Sequence, residues 1–155
     1  MLIATINNTS MLLISTTSLI YIKAFSDVFL TSASVLFLAI LFLQSGIDKV
    51  ADRSGNLSWL MSHFSNSPLR NMVPLLLFII TIVELLAGLA SFLGVFWIII
   101  FDDSFFALLG VILSMASLLM LFFGQRMAKD YAGAQSLVSY FVLAMITLML
   151  LLEKF

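Results

Sequence analysis

The chain has 155 residues, 63% of them hydrophobic and 10% charged, with a mean hydropathy of +1.20 and a formal net charge of −1. Soluble domains average about 45–50% apolar and about 25% charged, so an aqueous globule is excluded, as is a nucleic-acid binder working through a basic patch. Zero cysteines exclude disulfides, thiolate chemistry and cysteine nucleophiles, and a single histidine leaves no basis for a His-rich metal site or a bis-His haem.

A spanning helix needs roughly 20 apolar residues, so this length accommodates about four spans and no separate soluble domain. Residues 1–27 come first. Residues 1–22 carry no charged side chain, and Asn7, Asn8, Thr9 and Ser10 dilute their apolar character. The basic leader of a secretory signal is missing. This stretch reads as an interfacial segment or as an extension of the first helix, with a fifth span as the alternative. The four-helix transmembrane domain is then 28–155.

The first span is predicted over 28–47 and ends in QSGIDKVADR. Gln44, Asp48 and Asp52 recur at i+4, and Lys49 and Asp52 are i+3 neighbours. A solvated helix end with snorkelling cations accounts for this pattern as readily as a site does. The connection 48–72 follows. In it, NLSWLMSHF places Leu57, Leu60, Met61 and Phe64 on one helical stripe beside Trp59, which predicts a short helix lying in the membrane interface. His63, with no cysteine or acidic cluster near it in sequence, reads as an ordinary interface residue. Pro68 and Pro74 stand where a helix begins, a position that proline tolerates.

The second span, over 73–101, is long enough to tilt and carries Glu84. Eleven residues from Val73 at 1.5 Å each put Glu84 roughly 16 Å deep, near the bilayer midplane. A carboxylate there costs several kcal/mol unless paired, protonated or hydrated, so it must face the bundle interior. Gly88 and Ser91 share its face at i+4 and i+7. Ala87–Ser91 and Ala90–Gly94 add the small-xxx-small spacing that lets helices approach closely. Gly88, Ser91 and Gly94 are therefore the expected helix-packing positions.

The third span covers 104–123. By depth, its Ser114 and Ser117 are the expected neighbours of Glu84, with Gln44 and Lys49 shallower; Lys49 reaches Glu84 only if the helices are staggered or water enters. Two readings of Glu84 stand side by side: a proton-active or ligand-contacting carboxylate, and a neutral hydrogen-bonded group that sets helix register. The connection 124–134 contains GQRMAKDYAGAQ. Gln125, Arg126, Lys129, Asp130 and Tyr131 are candidates there for contact with an anionic headgroup, a quinone headgroup or a partner, against the simpler reading of basic loop charges with an aromatic anchor. Arg126 and Asp130 form an i+4 pair if the segment is helical. The fourth span covers 135–152. Trp59, Trp97 and Tyr131 suit an aromatic belt.

Lys49, Arg53, Arg70, Arg126 and Lys129 fall in the connections 48–72 and 124–134, against Lys23 and Lys154 on the opposite side. Five against two places those connections in the cytoplasm and both termini in the periplasm of a bacterial inner membrane.

The order of these features resembles the DoxX-like family of small four-helix membrane proteins. The resemblance runs over 29–151 and is carried by FLQSGIDKV, the proline-led second helix and VELLAGLASFLG, with Gly46, Lys49, Pro74, Glu84 and Gly88 as the matched points. GQRMAKDYAGAQSL lies outside the general pattern and marks a subgroup. The resemblance implies a small membrane subunit serving a larger system, since such proteins include a subunit of a thiosulfate:quinone oxidoreductase. The leading expectation is thus an accessory or assembly subunit of a redox- or energy-linked inner-membrane complex, with membrane-protein partners, and not catalytic on its own. The alternative is a quinone-interacting subunit of a membrane oxidoreductase, with Gln44, Lys49 and Arg126 as polar contacts near Glu84 and quinone as the one cofactor-like ligand. A small proton-linked transporter is the third reading, weakened by the lack of an inverted repeat.

Overall fold

The computed structural model describes residues 2–153, with side chains from Thr16 onward. Met1, Lys154, Phe155 and the side chains of residues 2–15 lie outside the described residues. So, therefore, do the predicted side of Lys154 and the side chains of Asn7, Asn8, Thr9 and Ser10. The described residues form five α-helices: α1 Leu2–Ala51, α2 Arg53–His63, α3 Val73–Phe101, α4 Phe105–Met127 and α5 Tyr131–Leu152, with a 3₁₀ turn Arg70–Met72 leading into α3. Among the described residues there is no strand. Among the described residues four helices are long and apolar enough to cross a membrane, and α2 is the short helix expected between the first two. This is an all-α membrane bundle.

The apolar runs located the spans, and α3 begins and ends where its run does. The others differ at their ends. Thr16–Ala51 is one uninterrupted apolar helix that contains the predicted span 28–47 and extends it at both ends, because no proline or glycine interrupts residues 16–45. α4 continues to Met127, and α5 starts at Tyr131. The reason is local. The chain breaks only where Lys129 adopts a left-handed φ of 61°, and the Asp130 carboxylate then accepts the Gly133 amide at 2.8 Å to start a new helix. The break between α1 and α2 uses the same chemistry: Asp52 leaves helical geometry (φ −122°, ψ 62°) and accepts the Gly55 amide at 2.9 Å. At both places a Cβ on the glycine would make the capping carboxylate shift.

Packing follows small residues. α3 is the central helix, antiparallel to α1 on one side and α4 on the other. A Cβ on Gly88 would lie 2.6 Å from the backbone nitrogen of Leu43, and one on Gly46 would lie 2.7 Å from the Leu85 side chain. On the α4 side, Gly94 faces Ala107, and Gly110 faces Ser91 in backbone contact. The expected packing positions Gly88, Ser91 and Gly94 are all buried, and they divide between two interfaces. In hydrocarbon, helices are held by such close van der Waals contact rather than by water exclusion. The outer faces carry Leu, Ile, Phe and Met side chains such as Ile40, Phe78, Leu89 and Met149, which are about half exposed and suited to lipid.

Candidate functional site

One end of the bundle gathers the basic residues Lys49, Arg53, Arg70, Arg126 and Lys129, and the other has Asp102 and Asp103 in the α3–α4 turn. The site begins from Glu84, which is fully buried at 0% exposure, as the cost of a deep carboxylate requires. Its partners come from the last turns of α1. The Lys49 ammonium lies 2.8 Å from Glu84 Oε2. The Ser45 hydroxyl donates to Oε1 at 3.1 Å and accepts from Lys49 at 2.7 Å. A third Lys49 contact goes to the Ser45 carbonyl at 3.2 Å. The ammonium thus faces Oε2 and the Ser45 hydroxyl faces Oε1. Each partner neutralises what the other would cost: the acid gains a cation, and the lysine has its three donors occupied.

Two expected neighbours of Glu84 make no hydrogen bond to it. Ser114 donates back to the Gly110 carbonyl at 2.8 Å, closing a bond within its own helix. The buried Ser117 hydroxyl has no hydrogen-bond partner. Gln44 is exposed on the outside of α1, because Ser45 and Lys49, four residues apart, take the inner face. Lys49 turns inward to Glu84 instead of pairing with Asp52, which is used as the α2 cap. Ser45 was not singled out by its sequence context, although its i−4 relation to Lys49 is the signal that marks it.

Next to this cluster a cavity of about 200 Å³ opens between α1, α2, α3 and α4. Leu60, Phe64 and Leu69 close it from the α2 side, and Leu77, Ile80 and Leu121 are among its other apolar walls. Its polar side chains are those of Lys49 and Gln125. An apolar cavity of about 150 Å³ accepts a benzene ring, so this one is large enough for a single six-membered ring and its substituents.

The α4–α5 turn completes the site. Gln125 Oε1 lies 3.1 Å from His63 Nε2, and Asp130 Oδ2 lies 3.6 Å from the same nitrogen. His63 stacks on Trp59 with centroids 4.7 Å apart and planes at 14°. It is thus more than an ordinary interface residue; its partners stand 62 and 67 positions away in sequence, beyond any local pattern. Arg126 and Asp130 do not form the i+4 pair, since the helix breaks between them; the Arg126 guanidinium instead sits 4.6 Å over the Tyr131 ring. Arg126, Lys129 and Tyr131 are exposed at the rim, and of the five candidates in this turn Gln125 is the one that reaches the cavity. Phe64, just past the end of α2, is buried, whereas Met61 of the same predicted stripe and Trp59 are exposed. Among the described residues no group of His, Asp and Glu side chains has the arrangement of a metal site.

No family model, curated protein or solved structure matches this chain.

Proposed function

We propose that the chain is a small subunit of a redox- or energy-linked complex in a bacterial inner membrane, and that the cavity at its basic end binds the headgroup of a quinone. The observation that carries this reading is the cavity itself: ring-sized, apolar, and bearing two polar side chains, Lys49 and Gln125. Apolar walls with few convergent polar groups are the usual form of a small-molecule site. Quinone oxygens accept hydrogen bonds, and Lys49 and the Gln125 amide are donors. Lys49 can turn from the Ser45 carbonyl to a ligand while its contact with Glu84 keeps the charge balanced. The likeness in feature order to DoxX-like proteins favours the same assignment. With the basic end in the cytoplasm, the headgroup lies near the inner leaflet and the tail runs out between α3 and α4. Partner subunits carry out the electron transfer.

The test is purification from native membranes in mild detergent, followed by solvent extraction and quantification of quinone and mass spectrometry of co-purifying proteins. Quinone should be recovered in near-stoichiometric amount from the natural chain and drop about tenfold in Lys49→Met and Glu84→Gln. Equal occupancy in all three would refute the assignment.

A second reading, an accessory or assembly subunit with no ligand of its own, draws on a different observation. Leu19, Tyr21 and Phe25 of α1 are 61–73% exposed on the helix ahead of the predicted first span, an apolar and aromatic surface suited to a partner helix. Stable co-purification of a membrane protein, lost on Tyr21→Ser with Phe25→Ser, would favour it.

A further inference from the structure

We propose that α2 is a lid over the cavity and that His63 is its latch, closing more firmly as pH falls. The inference rests on the cavity being the ligand site only for its biological consequence; the motion can be read without ligand.

The lid is shallowly held. Leu60 and the flanking Phe64 form part of the cavity wall, yet no residue within α2 is fully buried. A segment with few buried contacts opens at a small fraction of the global cost. Both of its ends are breaks in helical structure: the non-helical Asp52 on one side, and on the other the run of turns after His63 that leads through Pro68 into the 3₁₀ turn. Phe64 acts as the plug, its ring 3.5 Å from where a Cβ on Gly124 would stand.

Among the described residues, the side-chain polar tie from this segment to the α4–α5 turn is His63, at 3.1 Å from Gln125 and 3.6 Å from Asp130. Stacking on Trp59 sets the plane of its ring. Histidine is the side chain that changes charge between about pH 5 and 8. When neutral, His63 keeps one hydrogen bond to Gln125. When protonated, it adds an ion pair with Asp130. The other charged groups around it are Arg126 and Lys129 on the α4–α5 turn, Asp52 and Arg53 at the start of α2, Arg70 beyond it, and Lys49 in the cavity. Arg126 is drawn onto Tyr131 and Lys49 onto Glu84, which leaves Asp130 as the acid that meets the histidine. His63 and Asp130 side chains are 21% and 29% exposed, so the pair is partly screened, and the closed population should rise about two- to fivefold on protonation.

The natural chain has no cysteine, so two introduced thiols can be labelled cleanly. Nitroxides at Ser58→Cys on α2 and Ala132→Cys on α5, both exposed positions, report the lid-to-turn separation by pulsed electron resonance in lipid nanodiscs. From pH 8 to pH 5.5 the distribution should shift toward the short, closed distance. His63→Phe, which keeps the ring stack and removes both polar contacts, should be open-biased and insensitive to pH. Asp130→Asn, which preserves the α5 cap, should lose the pH response while remaining hydrogen-bonded through Gln125. A separation that does not change with pH, or a response that survives in Asp130→Asn, would overturn the latch. Added decylubiquinone tests the ligand separately: failure to bind, with the pH-driven motion intact, refutes the quinone assignment and leaves the latch standing.

Discussion

Replacing Lys49 by methionine keeps the length and volume of the side chain and removes its charge. Glu84, with no exposed surface, then retains only the Ser45 hydroxyl at 3.1 Å. Breaking a buried ion pair in a water-soluble protein costs about 3–5 kcal/mol, whereas polar contacts between membrane helices average about 0.6 kcal/mol and reach about 1.7. The Lys49–Glu84 contact falls between these, because the acid is fully buried and the lysine side chain is 16% exposed. Lys49→Met should therefore destabilise the bundle by about 2–3 kcal/mol. Glu84→Gln should cost less, about 1–2 kcal/mol, since the amide still meets Ser45 and the freed ammonium can reach water through the cavity. The double variant should stand close to Glu84→Gln alone, giving a coupling energy of about 2–3 kcal/mol. Reversible unfolding in mixed micelles measures all four corners of the cycle. If the single costs add to within about 0.5 kcal/mol, as for independent sites, the two groups do not act as a pair and the account of the site is wrong.

Two further outcomes test the packing and the caps. Gly94→Ala places a methyl group 2.5 Å from the Ala107 backbone, which forces α3 and α4 apart and should cost about 1–3 kcal/mol; an unchanged melting temperature would contradict the close approach. Asp130→Ala removes the carboxylate that caps α5 and should cost about 1 kcal/mol, while Asp130→Asn should leave stability nearly intact; equal losses in the two would show that charge, rather than the cap, holds the turn.

The transmembrane architecture was legible because hydrocarbon imposes a length and an apolar composition on every crossing, and α3 shows this most clearly. The inward direction of Glu84 was legible for the same reason: the penalty for facing lipid leaves no other choice. Its partners were less so. Reckoning depth along helices standing side by side favoured Ser114 and Ser117, and treated Lys49 as too shallow unless the helices were staggered. The antiparallel register set by Gly46 against Leu85 and Gly88 against Leu43 puts Glu84 opposite residue 47, about 3 Å along the axis from Lys49, so the stagger of the two helices brings acid and ammonium level. Gln44 was lost by rotation: one residue from Ser45 is about 100° around a helix, enough to point it outward. The contact of His63 with Gln125 and Asp130 had no local signature at all, since it exists only once α2 folds back across the end of α4.

The order of the ion pair along the chain bears on biogenesis. Lys49 lies at the end of α1 and is synthesised thirty-five residues ahead of Glu84, so when α3 leaves the translocon its acid finds a cation already waiting at the membrane. The glycine contacts Gly46–Leu85 and Gly88–Leu43 lie next to that meeting point, both farther from the basic end, and hold the two helices in register. A carboxylate that must be inserted into hydrocarbon is in this way never stranded there, and α4 and α5 are added to a pair of helices whose hardest electrostatic problem is already solved.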